Sequence, residues 1–312
     1  MEQDYGLDDL FEPRYEAPDP DLKIRLKKLV GLDSQINRLT KMLSILVNKY
    51  SIIEWANKYH SEAKTILNSL LSRSKLIILA GDVGCGKTEL AQTISDPIAR
   101  TENIRITVYP ISLATRGQGR VGEMSQRISK AFDYVASEGN RLKRVHGKHD
   151  GAIIFLIDEA DAFAQSREDS QMHHEDRAGV NALIRGIDRL TNTHSPVAVL
   201  MCTNRPNSID PAIKRRAADI LLFTRPEKKE RKSLLEFYLR PLGIQSRDID
   251  QIIYLTGPRE ANLPGFTYSD IVQRLLPNIL LSAYPSGPIR GDIAIQTTKD
   301  MLPTQIFREN IQ

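Results

Sequence analysis

Cysteine is scarce. Cys85 and Cys202 are the only two in 312 residues, and each sits beside an apolar, strand-like run with no CxxC partner. Neither a disulfide framework nor a zinc site is expected from that pattern. Long hydrophobic runs are also missing: Ile153 to Ile157 and Val197 to Cys202 are strand length, far short of the roughly 18 residues of a membrane-crossing helix. The opening stretch MEQDYGLDDLFEP is acidic rather than basic and then apolar, so no secretion signal is expected and the cytoplasm is the expected location. Glycine and proline, 18 and 16 residues, are too few for a collagen-like or low-complexity chain. Charge of one sign is not in large excess, since 43 Lys and Arg stand against 39 Asp and Glu. The resulting +4 is spread along the chain and gives generic nucleic-acid binding only weak support.

What remains is an ordinary globular composition, 41% hydrophobic and 26% charged, in a chain long enough for two units at about 150 residues each. Residues 1–22 carry eight acids against Arg14, with Pro13, Pro18 and Pro20, and read as a flexible acidic arm. A basic helical segment follows from Leu22 to Tyr50, in which Ile36, Leu39, Leu43, Leu46 and Val47 recur at helical spacing. Five apolar runs then alternate with helical patterns: Leu76 to Ala80, Ile104 to Tyr109, Ile153 to Ile157, Val197 to Cys202 and Ile220 to Phe223. Nearly continuous apolar runs suit strands covered on both faces. The expectation is therefore an α/β unit over 23–224 with a five-stranded parallel sheet. Beyond Arg225 the patterns at Glu227 to Arg240, Ser246 to Leu255, Thr267 to Ala283 and Thr298 to Arg308 predict a small all-helical lid over 225–312.

The first apolar run leads into Gly81-Asp82-Val83-Gly84-Cys85-Gly86-Lys87-Thr88 and then into a helix beginning at Glu89. This is a GxxxxGK[ST] P-loop in its required strand–loop–helix context. Glycines let backbone N–H groups wrap phosphate oxygens, Lys87 reaches the outer phosphates, and the Thr88 hydroxyl can ligate magnesium. The run Ile153 to Ile157 ends in Asp158-Glu159, which places two carboxylates at the C-terminal edge of the sheet, where ligands of such sheets collect. Asp158 is expected to serve the magnesium shell and Glu159 to polarise the attacking water. ATP hydrolysis with Mg2+ is the predicted chemistry.

The remaining motifs fall in the order seen in AAA+ ATPases, which the chain resembles from residue 22 to 312. Val30-Gly31-Leu32 resembles the segment that lines the adenine pocket, and Thr203-Asn204 resembles the first sensor, whose polar Asn204 helps place the water. Ile209-Asp210-Pro211-Ala212-Ile213-Lys214-Arg215-Arg216 resembles the helix bearing arginine fingers that enter a neighbouring subunit's site. The resemblance thus implies a homo-oligomeric ring, expected to be a hexamer.

Within AAA+, the chain is most similar to the pachytene-checkpoint or thyroid-receptor-interactor ATPases, which remodel HORMA-domain proteins. Arg177-Ala178-Gly179-Val180-Asn181-Ala182-Leu183-Ile184 with Ile187-Asp188, and Arg216-Ala217-Ala218-Asp219-Ile220, carry that likeness. Gly265 to Ile271 resembles the opening of the lid helix, with Ser269 where those relatives have arginine. Without a folded N-terminal domain, the architecture is similar to the bacterial antiphage version, whose HORMA partner activates a cyclic-oligonucleotide synthase. The first pore loop would be Thr115 to Glu123, in which Arg116, Gly117, Gly119, Arg120 and Val121 are the expected contacts to an extended substrate segment. Arg120 stands where many threading ATPases have an aromatic. A second loop, Gln165 to Asp176, is polar, and its His173-His174 reads as solvated, like the basic stretch holding His146 and His149. Two rivals remain: a nucleic-acid motor or loader, suggested by the basic run 141–149 but lacking any helix-turn-helix or stacking platform, and a nucleotide-switched scaffold that does not thread.

Overall fold

The structure is a computed structural model describing residues 10–112, 123–144, 149–162, 174–193, 195–207, 209–259 and 263–306. The expected contacts Arg116, Gly117, Gly119, Arg120 and Val121 lie outside the described residues, as do His146, His173 and most of the second loop.

Six strands form one sheet in the order β1-β3-β4-β5-β2-β6: β1 (Tyr15–Ala17), β2 (Leu76–Gly81), β3 (Arg105–Ser112), β4 (Gly151–Asp158), β5 (Val197–Thr203) and β6 (Ala217–Phe223). The five runs read from the sequence are β2 to β6. Strand β3 pairs in parallel with β4, β4 with β5, and β5 with β2. In β2 and β5 every residue is buried, as parallel strands covered on both faces require. Helices Glu123–Leu142 and His174–Thr193 pack against each other and cover one side; Phe132, Val135, Leu183 and Ile187 meet Phe155, Ile157 and Val199 in the core.

The sixth strand is the departure from expectation. Residues 10–22, read as part of an acidic arm, are built into the sheet unit. Tyr15–Ala17 pairs antiparallel with β3, and Leu10 and Phe11 are buried. The Phe11 ring lies 5.2 Å from Tyr109 and 6.0 Å from Phe155. Burying Leu and Phe side chains stabilises by about 2 kcal/mol each, enough to hold an edge strand of three residues that its acidic flanks hide.

The chain divides into two compact units. The first takes in the residues up to Leu26, Gln35–Ala80 and Thr88–Leu222; the second is discontinuous, made of Lys27–Ser34, Gly81–Lys87 and Phe223–Gln312. The sequence suggested a continuous lid from 225 onward, but the phosphate loop and the Val30-Gly31 segment pack with it. Within the second unit, helices Lys228–Leu239, Ser246–Leu255, Leu276–Ala283 and Gly291–Asp300 surround Leu235, Ile252, Phe266, Ile271, Leu275 and Ile279. Before Leu276–Ala283 the chain takes one π-helical turn, Asp270–Leu275, in which the Leu276 N–H reaches Ile271 O; Pro277 has no N–H for an α-helical bond. The last helix spans Gly291–Asp300 rather than the expected Thr298 to Arg308, because Pro303 cannot be taken into a helix interior.

Candidate active site

The phosphate loop is the turn between β2 and helix Lys87–Thr93. Gly84 and Gly86 have φ of +73° and +88°, values that side-chain-bearing residues rarely adopt. A Cβ on Gly84 would also meet Thr267 Oγ1 at 2.8 Å. Lys87 is buried and its Nζ donates to the carbonyls of Gly81 at 2.9 Å and Asp82 at 2.7 Å. Its ammonium is therefore curled into the loop where phosphate oxygens would be taken, a cradle that fits a triphosphate. Burial pushes the Cys85 thiol up to about 11, so this residue contributes backbone and packing rather than a nucleophile.

Within the same unit the lid residues clamp this loop. The Ser269 N–H donates to Gly84 O at 3.0 Å. The Arg225 Nε donates to Asp82 Oδ2 at 2.7 Å, and its Nη1 to the carbonyls of Gly265 and Thr304, each at 2.7 Å. Asp270 receives the Thr267 and Thr304 N–H groups, the Thr304 hydroxyl and Arg274. Burial works against its charge, but these bonds outweigh it and its pKa falls below the ordinary aspartate value. Gly31, at φ +90°, passes so close to Tyr268 Oη and Glu230 Cβ that a Cβ would stand 3.1 and 3.2 Å from them. Leu32 lies against Gly86, so the Val30-Gly31 segment does sit beside the phosphate loop. Ser269 spends its hydroxyl on Gln273; the position offers no cation.

The other half of the predicted chemistry lies at the C-terminal ends of the strands in the first unit. The Thr88 hydroxyl donates to Asp158 Oδ1 at 3.2 Å. A hydroxyl and a carboxylate side by side are the hard oxygen donors that suit Mg2+, and the pair fits that ion. The Glu159 N–H turns back onto Asp158 Oδ1 at 2.9 Å, and Glu159 itself sits at φ +52°, a left-handed conformation that is costly for a residue with a Cβ. Its exposed carboxylate accepts the Ser112 hydroxyl at 2.7 Å. Glu89, the last of the expected nucleotide contacts, has its carboxylate engaged by both Nε and Nη2 of Arg25 at 2.8 and 2.7 Å.

Asn204 follows β5. Its backbone N–H and side-chain Nδ2 donate to Asp161 at 2.6 and 2.9 Å. The arginine segment is placed by helix Pro211–Lys214, capped by the Asp210 carboxylate on the Ala212 N–H at 2.7 Å and anchored by buried Ile213. Arg216 follows that anchor and donates from Nε and Nη2 to Asp188 at 2.7 and 2.9 Å, while Arg215 is exposed.

Sequence reasoning missed Ser112, Asp161 and Arg225. Asp161 alone had a local signal, standing three residues after Asp158. The other two act on motifs many residues away, and only the fold brings them there.

Comparison with known proteins shows the family to which the chain belongs. The family model described as ATPase family associated with various cellular activities (AAA) matches residues 77–225. CD-NTase-associated protein 6 of Escherichia coli (strain MS 115-1) is 56% identical over 302 residues, covering 97% of each chain. A protein of the same name from Escherichia coli (strain KTE188) is 33% identical over 299 residues, 96% of this chain and 97% of its own. Among solved structures, a chain of the E. coli MS115-1 HORMA:CdnC:Trip13 complex is similar at a TM-score of 0.91 and 54% identity, covering 97% of this chain and 99% of that one. Rhizobiales Trip13 follows at 0.75 and 44%, covering 94% and 99%. No helix among the described residues is long and apolar enough to cross a membrane. With its phosphate loop, its carboxylate pair and full-length relatives at this level of identity, the chain belongs to the CD-NTase-associated protein 6 family and is an AAA ATPase.

Proposed function

We propose that this ATPase works as a homo-oligomeric ring, a hexamer in the cytoplasm, that uses ATP hydrolysis to remodel a HORMA-domain protein and so regulates a cyclic-oligonucleotide antiphage complex. The observation that carries this reading is the match along 97% of the chain to a subunit solved in a HORMA:CdnC:Trip13 complex.

The loop Gly81 to Lys87 takes the phosphates, and Val30-Gly31 lines the adenine. Thr88 and Asp158 would hold Mg2+, which when bound supplies charge neutralisation at the β- and γ-phosphates. Glu159 accepts the proton of the attacking water, and Asn204 orients that water. Arg215 and Arg216 act on a neighbouring subunit's γ-phosphate; such residues supply roughly 10³ to 10⁵ in rate, about 4 to 7 kcal/mol of barrier. Arg116, Arg120 and Val121 of the first pore loop would grip an extended segment of the partner. Opening part of a folded partner needs less than the roughly 5 to 15 kcal/mol of a whole domain, so successive hydrolysis events suffice.

The test is to assemble a HORMA-domain protein with its cyclic-oligonucleotide synthase, add the ATPase with ATP, and follow the complex by size-exclusion chromatography. Stimulated ATP turnover and dissociation of the complex are expected. A complex that persists through many turnovers would sink the remodelling reading.

A further inference from the structure

The segment that follows Glu159 does more than end the strand. After β4 the chain makes one 3-10 turn, Ala160–Ala162, with Ala160 fully buried. That turn aims Asp161 at the end of the neighbouring strand β5. Its Oδ1 receives the Thr203 hydroxyl at 2.5 Å and the Asn204 N–H at 2.6 Å, and its Oδ2 receives Asn204 Nδ2 at 2.9 Å. The Thr203 oxygen in turn accepts the Arg205 N–H at 3.1 Å, so the buried Thr203 hydroxyl is committed as donor and as acceptor. Three donors from one strand end converge on one carboxylate.

This arrangement decides which way the Asn204 amide points. A carboxylate offers acceptors only, and a side-chain amide has one donor edge and one acceptor edge. The edge of Asn204 next to Asp161 is therefore the nitrogen. Rotating the amide by half a turn would set oxygen against oxygen and leave Asp161 Oδ2 without its partner.

We propose that Asp161 is a positioning residue for ATP hydrolysis, locking the Asn204 amide with its nitrogen held and its oxygen presented as the acceptor that orients the attacking water. The inference rests on the assignment of Asn204 to the water. It also gives the short Asp158-Glu159-Ala160-Asp161 run a second task. The same turn that carries the proton acceptor fixes the group that aims the water, so the two stay in register as parts of one rigid strand end. Misplacement of a reacting group by about 1 Å can cost 10²-fold in rate, whereas nucleotide binding rests on other residues.

The experiment is a mutant cycle of Asp161→Asn, Asn204→Ala and the double variant, reading steady-state kcat, the dissociation constant of a non-hydrolysable ATP analogue, and the thermal midpoint. Asp161→Asn keeps the shape but puts a second nitrogen against Asn204 Nδ2. It should lower kcat about 10²-fold with analogue affinity within about twofold, and the double variant should be no slower than the slower single one, because both remove the same function. If Asn204→Ala turns over normally, the assignment of Asn204 fails, and this inference with it. If Asn204→Ala is slow and Asp161→Asn is normal, or if the two losses multiply, Asn204 keeps its role and the locking role of Asp161 is wrong. Should Asp161→Asn fold poorly, Asp161→Asn/Asn204→Asp restores a donor–acceptor pair in the reverse sense. It should recover the thermal midpoint and part of kcat, since the oxygen left at position 204 is again an acceptor for the water; a stable variant as slow as Asn204→Ala overturns the proposal.

Discussion

The Ser112 hydroxyl at the end of β3 donates to Glu159 Oε2 at 2.7 Å, holding the carboxylate assigned to the water by a neighbour 47 positions earlier in the chain. A bond to a charged acceptor stabilises the conformation in which it forms, and Glu159 must give it up to address a water fully. Ser112→Ala should therefore raise basal ATP turnover about fivefold, for a bond worth roughly 1 kcal/mol. A steady-state phosphate-release assay checks this; a drop would mean that Ser112 aims Glu159 instead of restraining it.

Glu159→Gln keeps the shape of the side chain and removes its basicity. ATP binding should persist while hydrolysis falls by about 10² to 10⁴. Lys87→Ala, by contrast, deletes the buried ammonium curled onto the Gly81 and Asp82 carbonyls and should abolish nucleotide binding. Equilibrium titration with a fluorescent ATP analogue separates the two phenotypes.

Arg216 is tied to Asp188 by two hydrogen bonds, whereas Arg215 is exposed. Arg216→Ala and Arg215→Ala should each retain ATP binding, and Arg216→Ala should lose about 10³-fold in turnover. Its thermal midpoint should change little, because a half-exposed ion pair contributes at most about 1 kcal/mol. Turnover at the normal rate in Arg216→Ala would rule out this residue as one that completes a neighbour's site.

Lys75 is almost fully buried, and its Nζ donates to the carbonyls of Leu46 and Ser195. Desolvation, with Lys49 adding to it, lowers its pKa to about 7. In the unfolded chain the amine binds its proton up to about pH 10.4. Between pH 7 and 10 the unfolded state therefore holds the extra proton, and folding becomes more favourable as pH rises, by at most about 1.4 kcal/mol per unit. Thermal midpoints of the wild type and Lys75→Met across that range should show the wild type gaining on the variant. Parallel curves would place the charged amine in the folded state.

What could be read in the sequence was contiguous. Gly81 to Thr88 and Asp158-Glu159 are each a run of consecutive residues, and each is preceded by an apolar run that fixes where in a sheet it must sit. Strands β2 to β6 were legible for the same reason. β1 was not: three residues among acids and prolines carry no period, and only Leu10 and Phe11 hint at burial. The clamps on the site were equally hidden, since Ser112, Arg225 and Asp161 are single polar residues whose meaning is set by what the fold places opposite them. The last helix lies at Gly291–Asp300 rather than Thr298 to Arg308, and the local signal that decides this is Pro303, which cannot enter a helix interior.

Asp82 is gripped by Arg225, the Gly84 carbonyl by the Ser269 amide, and Gly31 is wedged against Tyr268. The chain consequently has no clean seam at residue 224. A fragment trimmed there to keep only the sheet would carry the glycine-rich sequence intact and yet lose the scaffolding that gives it its shape.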